Sequence, residues 1–151
     1  MAPVVSRYFI KDRRAMYPQE IVIPCRSELT DAGFESLETP DAVEQVIQRK
    51  GTTLMVVNSV CGCAARGARP GVIKSLDSGK KPDHLTTVFA GVDGAAVTQA
   101  RHHFAPYPPS SPSIALFKDG QLVHFVERYQ IEGATDEMLA DHLRAVYQEL
   151  C

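Results

Sequence analysis

The sequence predicts an α/β fold in which a small mixed sheet is covered by helices on both faces. Two observations carry that prediction. Residues 52–60 (TTLMVVNSV) include four consecutive apolar positions, Leu54 to Val57, as expected of a strand buried on both sides. Strand-like and helix-like stretches then alternate along the chain, which ends in a hairpin and one long amphipathic helix.

From the N-terminus, residues 1–24 read as an arm: Val4-Val5 and Tyr8-Phe9-Ile10 are apolar clusters broken by the charged run Lys11 to Arg14. Ile21-Val22-Ile23 suggests a brief edge strand stopped by Pro24, and residues 26–34 a short helix ending at Gly33. Thr39-Pro40-Asp41 is a helix start with a threonine cap, a first-turn proline and an acid. Val43, Val46 and Ile47 form that helix's apolar face, and Gly51 stops it.

After the central strand, CGCAARGARPGVIKSL places Ala64, Ala65, Ala68, Val72, Ile73 and Leu76 at helical spacing, with a kink expected near Pro70. Residues 85–92 (LTTVFAGV) read as a second strand and residues 95–104 as a third helix. A proline-dense loop (YPPSSP) then leads to strands 113–117 and 121–126, joined through Lys118-Asp119-Gly120. Asp-Gly between apolar runs is a hairpin signal. Thr135 caps the last helix, whose stripe is Leu139, Leu143, Val146 and Leu150.

With 151 residues, 44% apolar and 23% charged, the chain reads as one globular domain. A net charge of −2 leaves no basic footprint for nucleic acid or an anionic membrane. The longest apolar runs are far too short to span a bilayer, and the first residues do not form a secretion signal, so the expected location is cytoplasmic. Four cysteines are too few for a disulfide scaffold, and a close pair in a reducing compartment points to catalysis or metal binding.

That pair is Cys61-Gly62-Cys63, where the buried strand delivers the chain into a helix start. Free amides and the helix dipole stabilise a thiolate there, so Cys61 is the expected nucleophile and Cys63 at most its resolving partner. A disulfide across one residue is strained and strongly oxidising, which favours oxidation or isomerisation of a client over its reduction. Arg66 and Arg69, one and two turns on, are placed to favour a thiolate or an anionic thiol substrate. Asn58 and Ser59 precede the pair as candidates to hydrogen-bond its turn. A cis peptide at Ser111-Pro112, facing the cysteine-bearing helix, would turn the chain and free a backbone group to pair with substrate. Ser111 is thereby a second binding candidate. Cys25 reads as a small packing residue. The alternative is a metal-binding or interaction module. In it Cys61 and Cys63 are ligands, joined by Cys25, Cys151 or one of His84, His102, His103, His124 and His142.

Asn58-Ser59-Val60-Cys61-Gly62-Cys63-Ala64-Ala65, Ala68-Arg69-Pro70, Phe89-Ala90-Gly91, Ser110-Ser111-Pro112-Ser113, Ile131-Glu132-Gly133 and the C-terminal cysteine together resemble the bacilliredoxin family. The resemblance runs from about Glu28 to Cys151, and Cys25 stands outside it. It implies a thioredoxin-like three-layer α/β/α sandwich with a mixed four- to five-stranded sheet. It also implies attack by the first cysteine, Cys61, on mixed disulfides between protein cysteines and the small thiol bacillithiol. Cys63 would be its companion, Pro112 the cis-proline position and Cys151 a possible resolving thiol. Bacillithiol would be a co-substrate, client proteins the partners, and neither metal nor organic cofactor would be needed.

Overall fold

Seven consecutive residues, Thr52–Asn58, are all buried and form the strand on which the other elements are laid. The protein is described by a computed structural model covering residues 17–77 and 79–151. Along the chain come α1 (Gln19–Thr30), β1 (Glu35–Ser36), α2 (Pro40–Ile47) and β2 (Thr52–Asn58). A π-helical turn (Ala64–Ala68) continues into α3 (Arg69–Ser75), followed by β3 (His84–Phe89) and α4 (Gly94–Arg101). Then follow β4 (Ser113–Lys118), β5 (Gln121–Val126), α5 (Arg128–Glu132) and α6 (Asp136–Leu150).

The five strands lie in the order β1-β3-β2-β4-β5. β2 runs parallel to β3 and antiparallel to β4, pairing Val57 with Val88 and Met55 with Ala115. Because side chains alternate along a strand, β2 feeds two cores at once. Leu54 and Val56 pack with Leu29 of α1, Val72 of α3, and Leu143 and Tyr147 of α6. Met55 and Val57 pack with Val43 of α2, Val97 of α4 and Phe117 of β4. The result is the expected three-layer sandwich with a mixed sheet.

Local chemistry sets the ends of the elements. The Thr39 hydroxyl accepts from the Ala42 amide at 3.1 Å, and the Thr135 hydroxyl accepts from Met138 at the same distance. At the β4–β5 turn, Asp119 and Gly120 take φ of 50° and 81°, the left-handed pair that closes a two-residue hairpin. The Asp119 carboxylate accepts from the Gly51 amide at 2.8 Å, tying this turn to the start of β2.

Two expectations need correction. Residues 19–24 are not an arm or edge strand but the first turns of α1. Val22 and Leu29 give that helix a buried stripe two turns apart, while Ile21 and Ile23 face out. Pro24 lies early in it, where the cost is one lost hydrogen bond to the Glu20 carbonyl. The disturbance expected at Pro70 falls one turn earlier. The Arg69 amide reaches back five residues to the Ala64 carbonyl, leaving Pro70 in the first turn of α3, where no N–H is required. The short elements β1 and α5 had no periodic signal because each is too brief to show one. The apolar clusters at residues 4–10 and the charged run at 11–14 lie outside the described residues.

α3 and α6 meet at Gly71. A Cβ there would lie 2.7 Å from Leu139 Cδ2 and 3.1 Å from Leu139 Cβ, so the clash reaches the part of Leu139 that cannot swing away. Gly71→Ala is expected to destabilise the fold by about 1–3 kcal/mol, the cost of overpacking, read as a lower urea midpoint with an unchanged denaturant slope.

Candidate active site

β2 ends at Asn58, and the chain turns through Ser59 and Val60 to Cys61 before the helical backbone resumes at Gly62. The Cys61 carbonyl accepts from the Ala64 and Ala65 amides, each at 3.1 Å, so Cys61 opens the helix as its cap. Its half-buried sulfur lies 3.0 Å from the Ser59 hydroxyl, and the Cys61 amide donates to that same oxygen at 3.4 Å. Burial by itself pushes the thiol up. The Ser59 hydroxyl, the Ala64 and Cys63 amides and the Arg128 charge together outweigh it, and the Cys61 thiol sits below the ordinary cysteine range. The Cys61 sulfur is thus biased toward its thiolate form and still reachable from solvent.

The turn beneath it is braced from inside. Asn58 donates through its amide nitrogen to the Cys25 carbonyl at 3.0 Å and accepts from the Ser59 amide at 2.9 Å. Arg69, expected to contact substrate, is instead only 2% exposed. Its guanidinium donates to the Ser59 carbonyl at 2.6 Å, to Asn58 Oδ1 at 3.0 Å and to Glu28 Oε2 at 2.7 Å. It is a positioning residue whose donors point into the Cys61 turn and not toward a ligand. Cys25 enters the site through its backbone carbonyl alone.

The other candidates divide between two cavities. Cys61 opens on one of about 320 Å³ with Ser111, Tyr17, Gly91, Arg101 and Arg128. Cys63 opens on another, of about 270 Å³, with Arg66, Gly67, Ile131 and Glu132. Arg66 lies over Gly62: a Cβ there would come within 2.8 Å of its guanidinium. Pro112 is buried at the start of β4 next to Ser111, and the Ser111–Pro112 peptide is cis, as is Ala105–Pro106. Sequence reasoning missed Arg101 and Arg128. They lie 40 and 67 residues from Cys61 along the chain, and only the sheet brings them beside it.

Cys151 is misplaced for the resolving role. Its thiol bonds to the Thr52 side chain at the opposite end of β2 from the Cys61 turn. Seven strand residues put roughly 20 Å between those ends. Burial, with the Asp83 carboxylate adding to it, holds the Cys151 thiol above its usual range despite the Thr52 bond and the nearby Lys118 and Lys80 charges. As to metal ligation, no three His, Cys, Asp or Glu side chains gather into a potential metal site among the described residues. Four of the histidines have partners elsewhere: His84 meets the Lys50 carbonyl, His103 meets Glu44, and His124 and His142 meet each other. Nor is any helix among the described residues long and apolar enough to cross a membrane.

Residues 17–151 match the disulphide isomerase family. A protein from Cytophaga hutchinsonii named bacilliredoxin is 60% identical over 135 residues, covering 89% of this chain and all of its own. A bacilliredoxin from Halalkalibacterium halodurans is 53% identical over 136 residues, covering 89% of this chain and 94% of its own. Among solved structures, oxidised mitochondrial thioredoxin 3 from Saccharomyces cerevisiae superposes with a TM-score of 0.55 at 16% identity, covering 82% of this chain and 100% of that one. A thioredoxin variant from Halobacterium salinarum gives 0.54 at 14% identity, over 79% of this chain and 91% of its own.

Two substitutions separate the roles of the turn. Ser59→Ala removes a bond that favours the thiolate, so the pH profile of Cys61 alkylation moves to higher pH. The rate at mildly acidic pH then falls severalfold in a stopped iodoacetamide assay. Arg69→Leu leaves the Ser59 carbonyl buried without its donor, and a loss of about 2–3 kcal/mol in urea-unfolding stability is expected.

Proposed function

The chain belongs to the bacilliredoxin family of thioredoxin-fold proteins and is a thiol–disulfide oxidoreductase, and from that premise we propose that it removes bacillithiol from protein mixed disulfides. The observation that carries this reading is the half-exposed Cys61 sulfur, with Ser59 and the first helical amides turned to its thiolate form.

The Cys61 thiolate attacks the bacillithiol sulfur of the mixed disulfide. A Cys61–bacillithiol disulfide forms, the client's sulfur–sulfur bond breaks, and the client cysteine leaves as a thiolate that takes a proton from solvent. No electrons are gained or lost overall, so no external oxidant or reductant enters this step. A second thiol then attacks the adduct. Cys63, two residues on, fills that role if its side chain swings from its own cavity; otherwise a free small thiol does. Cys151 is left out of it by the length of β2. Attack on a client disulfide in place of a mixed disulfide gives the isomerase reaction by the same exchange. Ser111, joined by a cis peptide to the buried Pro112, forms the wall of the Cys61 cavity on which a client segment rests. The partners are bacillithiolated or disulfide-bearing proteins, and a reducing cytoplasm suits a pair of free thiols.

Cys61→Ser is expected to abolish bacillithiol release from a bacillithiolated client. Cys63→Ser is expected to keep the first release and accumulate the Cys61 adduct, whose mass on the intact protein identifies the small thiol. Release at the normal rate by Cys61→Ser would overturn the assignment of the nucleophile.

A further inference from the structure

Two arginines, Arg101 and Arg128, line the cavity on which Cys61 opens, and among the described residues no carboxylate lines it with them. Arg101 ends α4, and its Nε is buried with no hydrogen-bond partner among the described residues. Among the described residues it forms no ion pair. Arg128 opens α5, pairing through Nε with Glu132 and donating through Nη1 to the Ser111 carbonyl at 3.1 Å. No hydrogen bond engages its Nη2 among the described residues.

Arg101 is half-buried, and the partial desolvation of its guanidinium pulls it down from its ordinary range and leaves the buried Nε short of an acceptor among the described residues. Nothing in the packing of α4 requires a guanidinium there, since the helix buries Ala96, Val97 and Ala100 on its core side. An acceptor for that Nε, absent among the described residues, would be supplied by an anion that arrives with the ligand. At about 320 Å³ the cavity is at the small-molecule end of ligand sites and too small for a folded client surface. The Tyr17 ring closes one side of it, packed over Gly91 where a Cβ would lie 2.7 Å from the ring. The planar fork of an arginine pairs with a carboxylate or a phosphate, and the carboxylate is the smaller of the two for a cavity of this size.

We propose that this cavity seats the carboxylate-bearing end of the small thiol, and that Arg101 and Arg128 make the protein selective for anionic over neutral thiols. This rests on the reading of Cys61 as the attacking sulfur of a small-thiol exchange and adds the recognition step to it. The small thiol's sulfur is delivered to Cys61 while its carboxylate replaces the counter-charge that Arg101 lacks. Arg101 is a specificity-determining residue; it does not contact the breaking bond.

The probe is a pair of alkylating reagents of nearly equal size, iodoacetate and iodoacetamide, one anionic and one neutral. In the unmutated protein, the iodoacetate-to-iodoacetamide rate ratio at Cys61 should exceed that of free glutathione under the same conditions. In Arg101→Gln the ratio should fall about tenfold, the scale of one charge-assisted hydrogen bond, and Arg101→Lys should recover part of it. A ratio in the unmutated protein no higher than that of glutathione overturns the proposal without need of a variant, as does an elevated ratio that survives Arg101→Gln. In parallel, one client protein is loaded with mercaptosuccinate or with 2-mercaptoethanol, and kcat/KM is measured on each. Arg101→Gln should lower the mercaptosuccinate-to-mercaptoethanol preference by a similar factor; an unchanged preference overturns the recognition role. Failure to turn over either mixed disulfide, with the iodoacetate preference intact, would instead sink the oxidoreductase reading and leave the anion site standing.

Discussion

The site depends on one buried guanidinium. Arg69 reaches from the first turn of α3 to the Ser59 carbonyl and the Asn58 side chain at the end of β2, and out to Glu28 on α1. It therefore ties the central strand, the helix that follows and the helix lying over both into one piece, with the Cys61 turn at the junction. A charge buried to this degree is tolerated only because carbonyl, amide and carboxylate oxygens surround it. Those bonds fix the direction of the Ser59 backbone, and the Ser59 hydroxyl in turn meets the Cys61 sulfur. Loosening the guanidinium would cost stability and lose the aim of the Cys61 sulfur.

The π-helical turn follows from that geometry. It widens the helix by one residue just before Arg69, with the Arg69 amide bonded five residues back. Such wide turns recur near functional sites, where they redirect a side chain without ending the helix. Here the redirected side chain is Arg69, and the same insertion brings Pro70 into a position that requires no N–H. Gly67 and Gly71 allow the segment to lie close against Ile131 and Leu139 of the neighbouring C-terminal helices.

The sheet was legible because its signals are local and strong. An uninterrupted apolar run marked β2, Asp119-Gly120 marked the hairpin, and the threonine caps at 39 and 135 marked two helix starts. The candidate thiol was legible for the same reason: two thiols around a glycine at a strand-to-helix junction have a limited set of uses. Three things escaped. Ile21-Val22-Ile23 reads as a strand by residue type, yet the burial of Val22 and Leu29 decides for helix, and burial is a tertiary fact. Arg69 reads as a charge aimed at a thiolate or an anionic substrate because a sequence does not display the carbonyl it serves. Arg101 and Arg128 come to Cys61 from distant parts of the chain, and Cys151 is kept from it by the length of a strand that the pattern shows but whose two ends it does not connect to the C-terminus.

The central claim is that Cys61 and Cys151 differ by environment, the first held below the ordinary cysteine range and the second above it. Site-resolved titration by nuclear magnetic resonance, with carbon-13 at the cysteine Cβ positions, reads each one separately. The account predicts that Cys61 ionises below the ordinary cysteine range and that Cys151 ionises above it. A Cys61 resonance that titrates at or above the ordinary range, alongside Cys151, would contradict it.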